Sequence, residues 1–536
     1  MQNSRDNTRK SEESEQDDYD YNTTLPVSDE SESDSDKKIE EEIYPGLVLK
    51  NEYLLLKKIG CGNNATVWIT YRLTKKSFVA VKIQDFRCYN DGCREVTIIK
   101  KINDYYSEKA NQNRKTYCVK MLDFFVYASD NNTKYVCSIY ELFAGSVQML
   151  LNQGKYKYGL PIPVVKKIMK QLLSALVDLH NNLRIIHTDI KPENLLFRGI
   201  PEYQQIIMDT FIQTAFQQKY EKLLVQHKRN INTNTIFSDD ENTAFDSALA
   251  CLATDSITEL YKISVINAKD EVFNPDEDEN SEDYMVEGDD DGDDGYDSNS
   301  NASNEEEEED GYNVFNERNQ SVDDVMESLD YTDIHDLEEE GAYDFIHVLN
   351  NRTDSSDKKT VIDDKYVFDC ETALTDFGNS YFFEKRTKNE IQDRRYRSPE
   401  VVLDLNYGFA ADIWSVACVA FELLTGFPLF EPEDEPLNRD IHHLFLMEKN
   451  LGPIPFRMKK MSKRNRFLFD KKRNYHIKNV APFKQYNLQQ RLVLQFSFTK
   501  NEAREIYDFL ICGLEYDPTK RASAKELLQH KWLNKA

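Results

Sequence analysis

No stretch of about eighteen consecutive apolar residues occurs in this chain, so the sequence offers no membrane span. Nothing in it reads as a secretory leader, and export is not expected. Its nine cysteines are scattered without a Cys-x-x-Cys pair, which argues against metal binding by them and for reduced thiols in the cytoplasm, the nucleus or both. Positive charge is in deficit. Against 95 Asp and Glu stand only 67 Lys and Arg, a formal net charge of -28, so direct binding of DNA or RNA is not expected. No internal repeat stands out, and the acidic tract at 276–310 lacks the D-x-D-x-D-G spacing and closing Glu of a calcium loop.

What is present is concentrated in one short segment, HTDIKPENLL, from His187 to Leu196. Phosphoryl transfer to a hydroxyl needs a carboxylate to take the proton, a cation near the moving group and an oxygen ligand for Mg²⁺. Asp189, Lys191 and Asn194 supply these in that order. A polar surface loop would suit any one of them alone, but H-x-D-x-K-P-E-N is too particular for that. It resembles the catalytic loop of the eukaryotic protein kinases. That resemblance implies an α+β bilobal fold, with a small β-rich N-lobe and a mostly helical C-lobe, and it implies ATP and Mg²⁺.

Other family motifs follow in the family's order. Ile59, Gly60, Cys61, Gly62, Asn63, Asn64, Ala65, Thr66 and Val67 lie between strand-like runs and are similar to the loop that covers nucleotide phosphates. Glycines at 60 and 62 let backbone approach phosphate oxygens where a β-carbon would collide. The third glycine usual there is Ala65. Val67 and Ala80 match adenine-pocket positions. By the same resemblance Lys82 of FVAVKI holds the α- and β-phosphates and pairs with Glu95 of REVTIIKKI, whose apolar residues recur at helical spacing. Asp376 of TDFGNS joins Asn194 as a Mg²⁺ ligand, and RRYRSPEV, Arg394 to Val401, matches the end of an activation segment. Glu400 is expected to pair with Arg521, and Asp412 to brace the catalytic loop. Tyr140 takes the gatekeeper position, with Glu141 and Phe143 as hinge contacts to adenine.

Within the family, the SR-protein kinases are the most similar branch, through IIHTDIKPENLL, DFGNSYFFEKRTKNEIQDRRYRSPEV, ADIWSVACVAFELLTG and EYDPTKRASAKELLQHKWLN. LFLMEKNLGPIP echoes the LAMMER or CDC2-like kinases. Both branches phosphorylate Arg-Ser-rich proteins, so serines in basic protein substrates are the expected acceptors and a monomer the expected state. The rivals are a LAMMER-like dual-specificity kinase and a pseudokinase scaffold. Thr188 replaces an arginine that clamps phosphorylated activation loops, which implies activity without loop phosphorylation. Asp393 stands where a threonine is usual, within reach of Lys191 and Asp189. Phe427, His442 and Lys449 replace acids of the family's docking groove, while Glu431, Glu433, Asp434 and Glu435 cluster nearby. The Asn- and Lys-rich composition suggests an AT-rich source such as a large DNA virus.

A domain map follows from composition. Residues 1–43 form an acidic tail with too few large apolar residues to order itself. Residues 53–143 form the N-lobe and hinge, 144–199 the first part of the C-lobe, and 366–533 its second part. Between them, 200–365 reads as an acidic, largely disordered spacer with a helical opening at PEYQQIIMDTFIQTAFQQKYEKLLVQH. A tethering role is expected for it, and its removal should leave catalysis intact.

Overall fold

The structure, a computed structural model, describes residues 42–62, 64–111, 113–152, 154–233, 239–270, 367–385, 390–433, 438–481, 483 and 487–535. Nearly all of the acidic tail and the 276–310 tract lie outside the described residues.

The N-lobe is built on six antiparallel strands: β1 Val48–Leu49, β2 Tyr53–Gly62, β3 Ala65–Arg72, β4 Ser77–Gln84, β5 Met121–Ala128 and β6 Lys134–Tyr140, in the order β1-β2-β3-β4-β6-β5. The sheet begins before residue 53 because Lys50 and Asn51 adopt left-handed backbone and fold β1 back on β2. Helix α1, Tyr89–Ser107, crosses it and buries Val96, Ile98, Ile99 and Ile102, the apolar face seen in the sequence, together with Glu95.

The C-lobe is helical. Its main helices are α2 Val147–Asn152, α3 Ile162–Val177, α7 Pro399–Val402, α8 Phe409–Thr425, α9 Arg439–Leu451 and α10 Lys500–Gly513. In α8 nearly every side chain from Ala411 to Thr425 is buried, so this helix is the axis of the lobe. A capping box of Thr499 and Glu502 starts α10. At the junction of the lobes, β7 Phe143–Ser146, β9 Leu195–Arg198 and β10 Thr372–Leu374 form a small antiparallel sheet in the order β10-β9-β7. Its register pairs Leu374 with Leu195 and Phe197 with Thr372. The hinge strand, the exit of the catalytic loop and the strand before D-F-G are therefore neighbours, despite the long insertion between two of them.

The helical opening expected of the insert extends further and packs. The first part of the 200–365 segment is three packed helices: α4 Glu202–Gln213, α5 Phe216–Thr233 and α6 Asp239–Asp270. Ile207, Met208, Phe211, Phe216 and Tyr220 are buried, as are Leu249, Ala253, Ile257 and Leu260. The Phe211 ring lies 5.1 Å from Tyr71 and 6.0 Å from Phe78 of the N-lobe sheet. Tyr71 donates its hydroxyl to Gln217 at 2.9 Å, and Lys76 pairs with Glu221 at 2.5 Å. The physical reason is that α4 and α5 carry an apolar stripe which the outer face of β3 and β4 can bury. Composition averaged over the whole segment hides that stripe behind the acidic tract. Excision of 200–365 would strip this cover from the N-lobe, so it is not the neutral deletion that a plain spacer would allow.

Candidate active site

The catalytic loop follows β8, Ile185–Ile186, and is held from beneath by one carboxylate. Asp412, fully buried on α8, accepts from His187 N–H at 2.8 Å and Thr188 N–H at 2.9 Å, and meets His180 Nε2 at 2.9 Å. His187 Nε2 reaches the Thr375 carbonyl at 2.9 Å and its ring meets Phe377 edge-on at 5.0 Å. Thr188 has φ 70°, Asp376 φ 60° and Gln392 φ 69°. Three non-glycine residues in left-handed backbone within one site are strain that the surrounding contacts hold in place.

Asp189 is oriented by its neighbours. Asn194 Nδ2 donates to the Asp189 carbonyl at 2.7 Å and to Asp189 Oδ2 at 3.2 Å, and Lys191 Nζ reaches the same Oδ2 at 3.1 Å. Oδ1 has no partner among the described residues, so it is the oxygen free to accept a proton. Burial opposes the charge on Lys191, but the Asp189 carboxylate outweighs it and raises the lysine above its ordinary range.

Across the cleft, Lys82 Nζ sits 2.9 Å from both oxygens of Glu95 and 3.0 Å from Asp376 Oδ1. Burial works against its charge, yet Glu95 and then Asp376 keep Lys82 protonated well above the usual lysine range. Lys82 in turn holds the Asp376 carboxyl below its usual range. Phe377 is fully buried, and Arg94 on α1 donates to the Gly378 carbonyl at 2.5 Å, tying the Glu95 helix to D-F-G. Thr375 N–H donates to the Asn194 carbonyl at 3.0 Å, so Asn194 and Asp376 face one cleft although the sequence sets them far apart.

The nucleotide loop joins β2 to β3, with Gly60 opposite Val67, Cys61 opposite Thr66 and Gly62 opposite Ala65; Asn63 lies outside the described residues and Asn64 is in the turn. Ile59 is half-buried in β2, and Ala80 is buried in β4 opposite Tyr140. A β-carbon on Gly60 would meet only Val67, at an ordinary 3.5 Å. The protein's own packing thus does not require glycine there, which fits a ligand beneath the loop. Tyr140 ends β6, followed by Glu141, whose carboxylate is taken up by Arg198. Phe143 offers its carbonyl to Gln204 of α4 at 2.9 Å, a link between hinge and insert.

Arg94, Gln204 and Gln392 are the residues that motif reading missed. Gln392 falls inside the stretch that resembles the SR-protein kinases but had no role assigned there, and it joins α8 to the end of the activation segment: Nε2 donates to the Ala411 carbonyl and to Ser415 Oγ at 2.8 Å, and Oε1 accepts from Ser398 N–H at 3.0 Å. Asp393 does not form an ion pair with Lys191. It accepts from Arg395 N–H at 3.2 Å and caps the turn at Arg394–Tyr396. Glu400 and Arg521 form a fully buried two-pronged pair at 2.7 and 2.8 Å. At the docking positions, Phe427 is exposed with Tyr158 and Phe496 beside it, His442 accepts from Glu433 N–H, and Lys449 lies over Phe445. Glu431 pairs with Arg395 at 3.2 Å, while Asp434 and Glu435 lie outside the described residues.

A lysine clamped by a helix carboxylate, an aspartate in left-handed backbone before Phe377, and an Asp-Lys-Asn loop braced by Asp412 define a protein kinase site. Comparison with known proteins agrees. A model of the protein kinase domain matches residues 53–209 and 362–533. A provisionally named serine/threonine-protein kinase of Acanthamoeba polyphaga mimivirus is 51% identical over 96% of this chain and 94% of its own. The serine/threonine-protein kinase SKY1 of Saccharomyces cerevisiae is 28% identical over 90% and 74%, and SRSF protein kinase 3 of Mus musculus 26% identical over 95% and 92%. The chain belongs to the protein kinase family and, within it, to the SR-protein kinases; it is a serine/threonine protein kinase. Among the described residues no helix is long and apolar enough to cross a membrane.

Proposed function

We propose that this kinase transfers the γ-phosphoryl group of ATP to serine hydroxyls in basic, Arg-Ser-rich proteins, and that it does so as a monomer without phosphorylation of its own activation segment, in the cytoplasm or nucleus. In the reaction the serine oxygen bonds to the γ-phosphorus, the bond from that phosphorus to the β–γ bridging oxygen breaks, and the serine proton passes to Asp189 Oδ1. Lys191, fixed on the other carboxylate oxygen, offers charge to the moving group, and Lys82 holds the non-transferred phosphates. Asn194 and Asp376 are the residues that would hold Mg²⁺, which when bound neutralises charge on phosphate oxygens.

The observation that carries independence from phosphorylation is the Thr188 hydroxyl, which donates to the Asn379 carbonyl at 2.7 Å. With the Gln392 bonds to α8, it supports an activation segment held by neutral hydrogen bonds, where a phosphate and an arginine would otherwise be needed. The reading of a basic substrate rests on Glu193 and Asp393 in a cavity of about 450 Å³ that Glu431, Arg394, Arg395 and Arg439 also line. Two of its arginines are already matched, Arg394 to Asp440 at 2.5 Å and Arg395 to Glu431 at 3.2 Å, whereas Glu193 has no cationic partner among the described residues.

The test is Mg-ATP transfer by phosphatase-treated enzyme to an Arg-Ser peptide and to a matched acidic peptide, with Asp189→Ala as control. Transfer to the basic peptide by the wild type alone is expected. Equal rates on both peptides would overturn the substrate class, and loss of activity after phosphatase would overturn the unphosphorylated mechanism.

A further inference from the structure

We infer that the groove between α1 and the outer face of β5 is a docking site for residues 343–349 of this same chain, and that its occupancy regulates the kinase site. A cavity of about 490 Å³ opens there, lined among others by Val96, Lys100, Lys101 and, at its far end, Asp104 of α1, by Phe124 and Val126 of β5, and by Phe382 of the activation segment, so that two cations face one acid. β5 is the edge strand of the sheet, and its outward residues Leu122, Phe124 and Val126 are 46%, 42% and 47% exposed. Alternate residues of a strand share a face, so these three form one apolar stripe, the kind of exposed patch that marks an interaction surface. Helices α4–α6 leave it open, since they pack at Tyr71 and Phe78, on β3 and β4. Lys100 and Lys101 are exposed at the groove and have no ion-pair partner among the described residues.

The occupant is argued from chemistry and reach. Residues 343–349, YDFIHVL, contain five large apolar side chains in seven positions, within a tract otherwise dominated by acids. Glu338, Glu339 and Glu340 precede them and Asp344 lies among them, carboxylates that match the two lysines. Leu349 lies eighteen positions before Val367, a stretch that can span about 60 Å when extended. The described chain resumes on α3, where Lys167 donates to the Phe368 carbonyl at 3.1 Å and Gln171 to the Cys370 carbonyl at 3.0 Å, and then runs toward β5: Val119 N–H donates to the Leu374 carbonyl at 2.9 Å, just ahead of Met121 where β5 begins. A tether that short keeps the local concentration of the segment high.

The regulatory consequence rests on the kinase assignment. Glu95 and Arg94 sit on α1, so a ligand against α1, β5 and Phe382 favours the position in which Lys82 is paired and Gly378 is held.

Hydrogen exchange of the full chain, without nucleotide, tests the docking apart from any catalysis. In a Phe345→Asp, Leu349→Asp variant, amides of 97–104 and 122–126 are expected to exchange about tenfold faster than in the wild type. A fluorescent peptide of residues 336–351 should bind that variant and restore protection. Adding Lys100→Glu and Lys101→Glu should weaken the peptide about tenfold, and a peptide with Glu338→Lys, Glu339→Lys and Glu340→Lys should recover the loss. Unchanged exchange in the Phe345, Leu349 variant, or no peptide binding, overturns the proposal. Protection that rises with protein concentration also overturns it, in favour of a second copy in the groove.

Discussion

Phe211→Ala is the sharpest test of whether the helices of the insert are part of the folded kinase. Phe211 is 2% exposed on α4, with ring centroids of Tyr71 at 5.1 Å and Phe216 at 5.4 Å. Truncating a buried Phe destabilises by about 3 to 5 kcal/mol, the spread reflecting how far neighbours relax. Here the neighbours are aromatic rings on two different elements, which can close part of the gap, so about 3 kcal/mol is expected. Ile212, the next residue, is 62% exposed. Its replacement by Ala should change stability by no more than about 0.5 kcal/mol. Urea unfolding of the two variants and the wild type is the assay. With a slope of about 3 kcal/mol per molar, the first transition of Phe211→Ala should fall by about 1 M, and that of Ile212→Ala should not move. Equal midpoints for the two variants would refute the packing of α4 on the N-lobe.

Arg521→Met leaves Glu400 buried without a cation, and should lower stability by about 3 to 5 kcal/mol, read by thermal unfolding; adding Glu400→Gln should recover part of the loss. Lys82→Met removes the cation between Glu95 and Asp376, and phosphoryl-transfer rates should drop by about a hundredfold or more while circular dichroism stays native. Thr188→Val deletes the hydroxyl bond to Asn379, and the transfer rate should fall several-fold while KM for ATP stays within about twofold. Burial raises the Glu422 carboxyl from an ordinary 4.5 to about 7, against a hydrogen bond from the Tyr396 hydroxyl at 2.7 Å. Folded protein therefore binds more protons than unfolded protein between those values, so stability should decline as pH rises from 4.5 to about 7, by up to about 3 kcal/mol, and then level off. Glu422→Gln should flatten that decline; an unaltered slope would show that other groups cause it.

Motif reading singled out side chains that the fold brings together because the motifs have short, fixed spacings: Asp189, Lys191 and Asn194 on one loop, Lys82 on a strand, Asp376 before a Phe-Gly. Pairings between remote motifs, such as Lys82 with Glu95 and Glu400 with Arg521, were legible only through family resemblance, since spacing alone does not say which acid meets which base. Arg94 has no pattern of its own, being a helical arginine beside the glutamate that pairs with Lys82; its contact appears once D-F-G folds against α1. Gln204 and Gln392 were hidden for the same reason, each defined by carbonyls or hydroxyls on elements far along the chain. The α4–α6 unit was half legible. Its apolar spacing announced helices, but nothing local revealed that β3 and β4 present Tyr71 and Phe78 to receive them.

The position of the insertion explains how a site divided along the polymer stays whole. It interrupts the turn between β9 and β10, whose pairing brings Phe197 to Thr372 and Leu195 to Leu374. Loop closure grows only by about 0.6 kcal/mol for each doubling of length, so expanding a five-residue turn some thirtyfold costs about 3 kcal/mol. Folding of α4–α6 against the N-lobe shortens the free loop and returns part of that. Opposing the remainder are Arg198 N–H to the Glu371 carbonyl at 2.8 Å, Thr372 N–H to Gln171 at 2.6 Å and Thr375 N–H to the Asn194 carbonyl at 3.0 Å. A break a few residues earlier would fall between Asp189 and Asn194, where Asn194 Nδ2 holds the Asp189 carboxylate. A break a few residues later would part Thr375 from the Asn194 and His187 contacts that set Asp376. The turn between the two strands is thus the point where chain can be added without moving either Asn194 or Asp376.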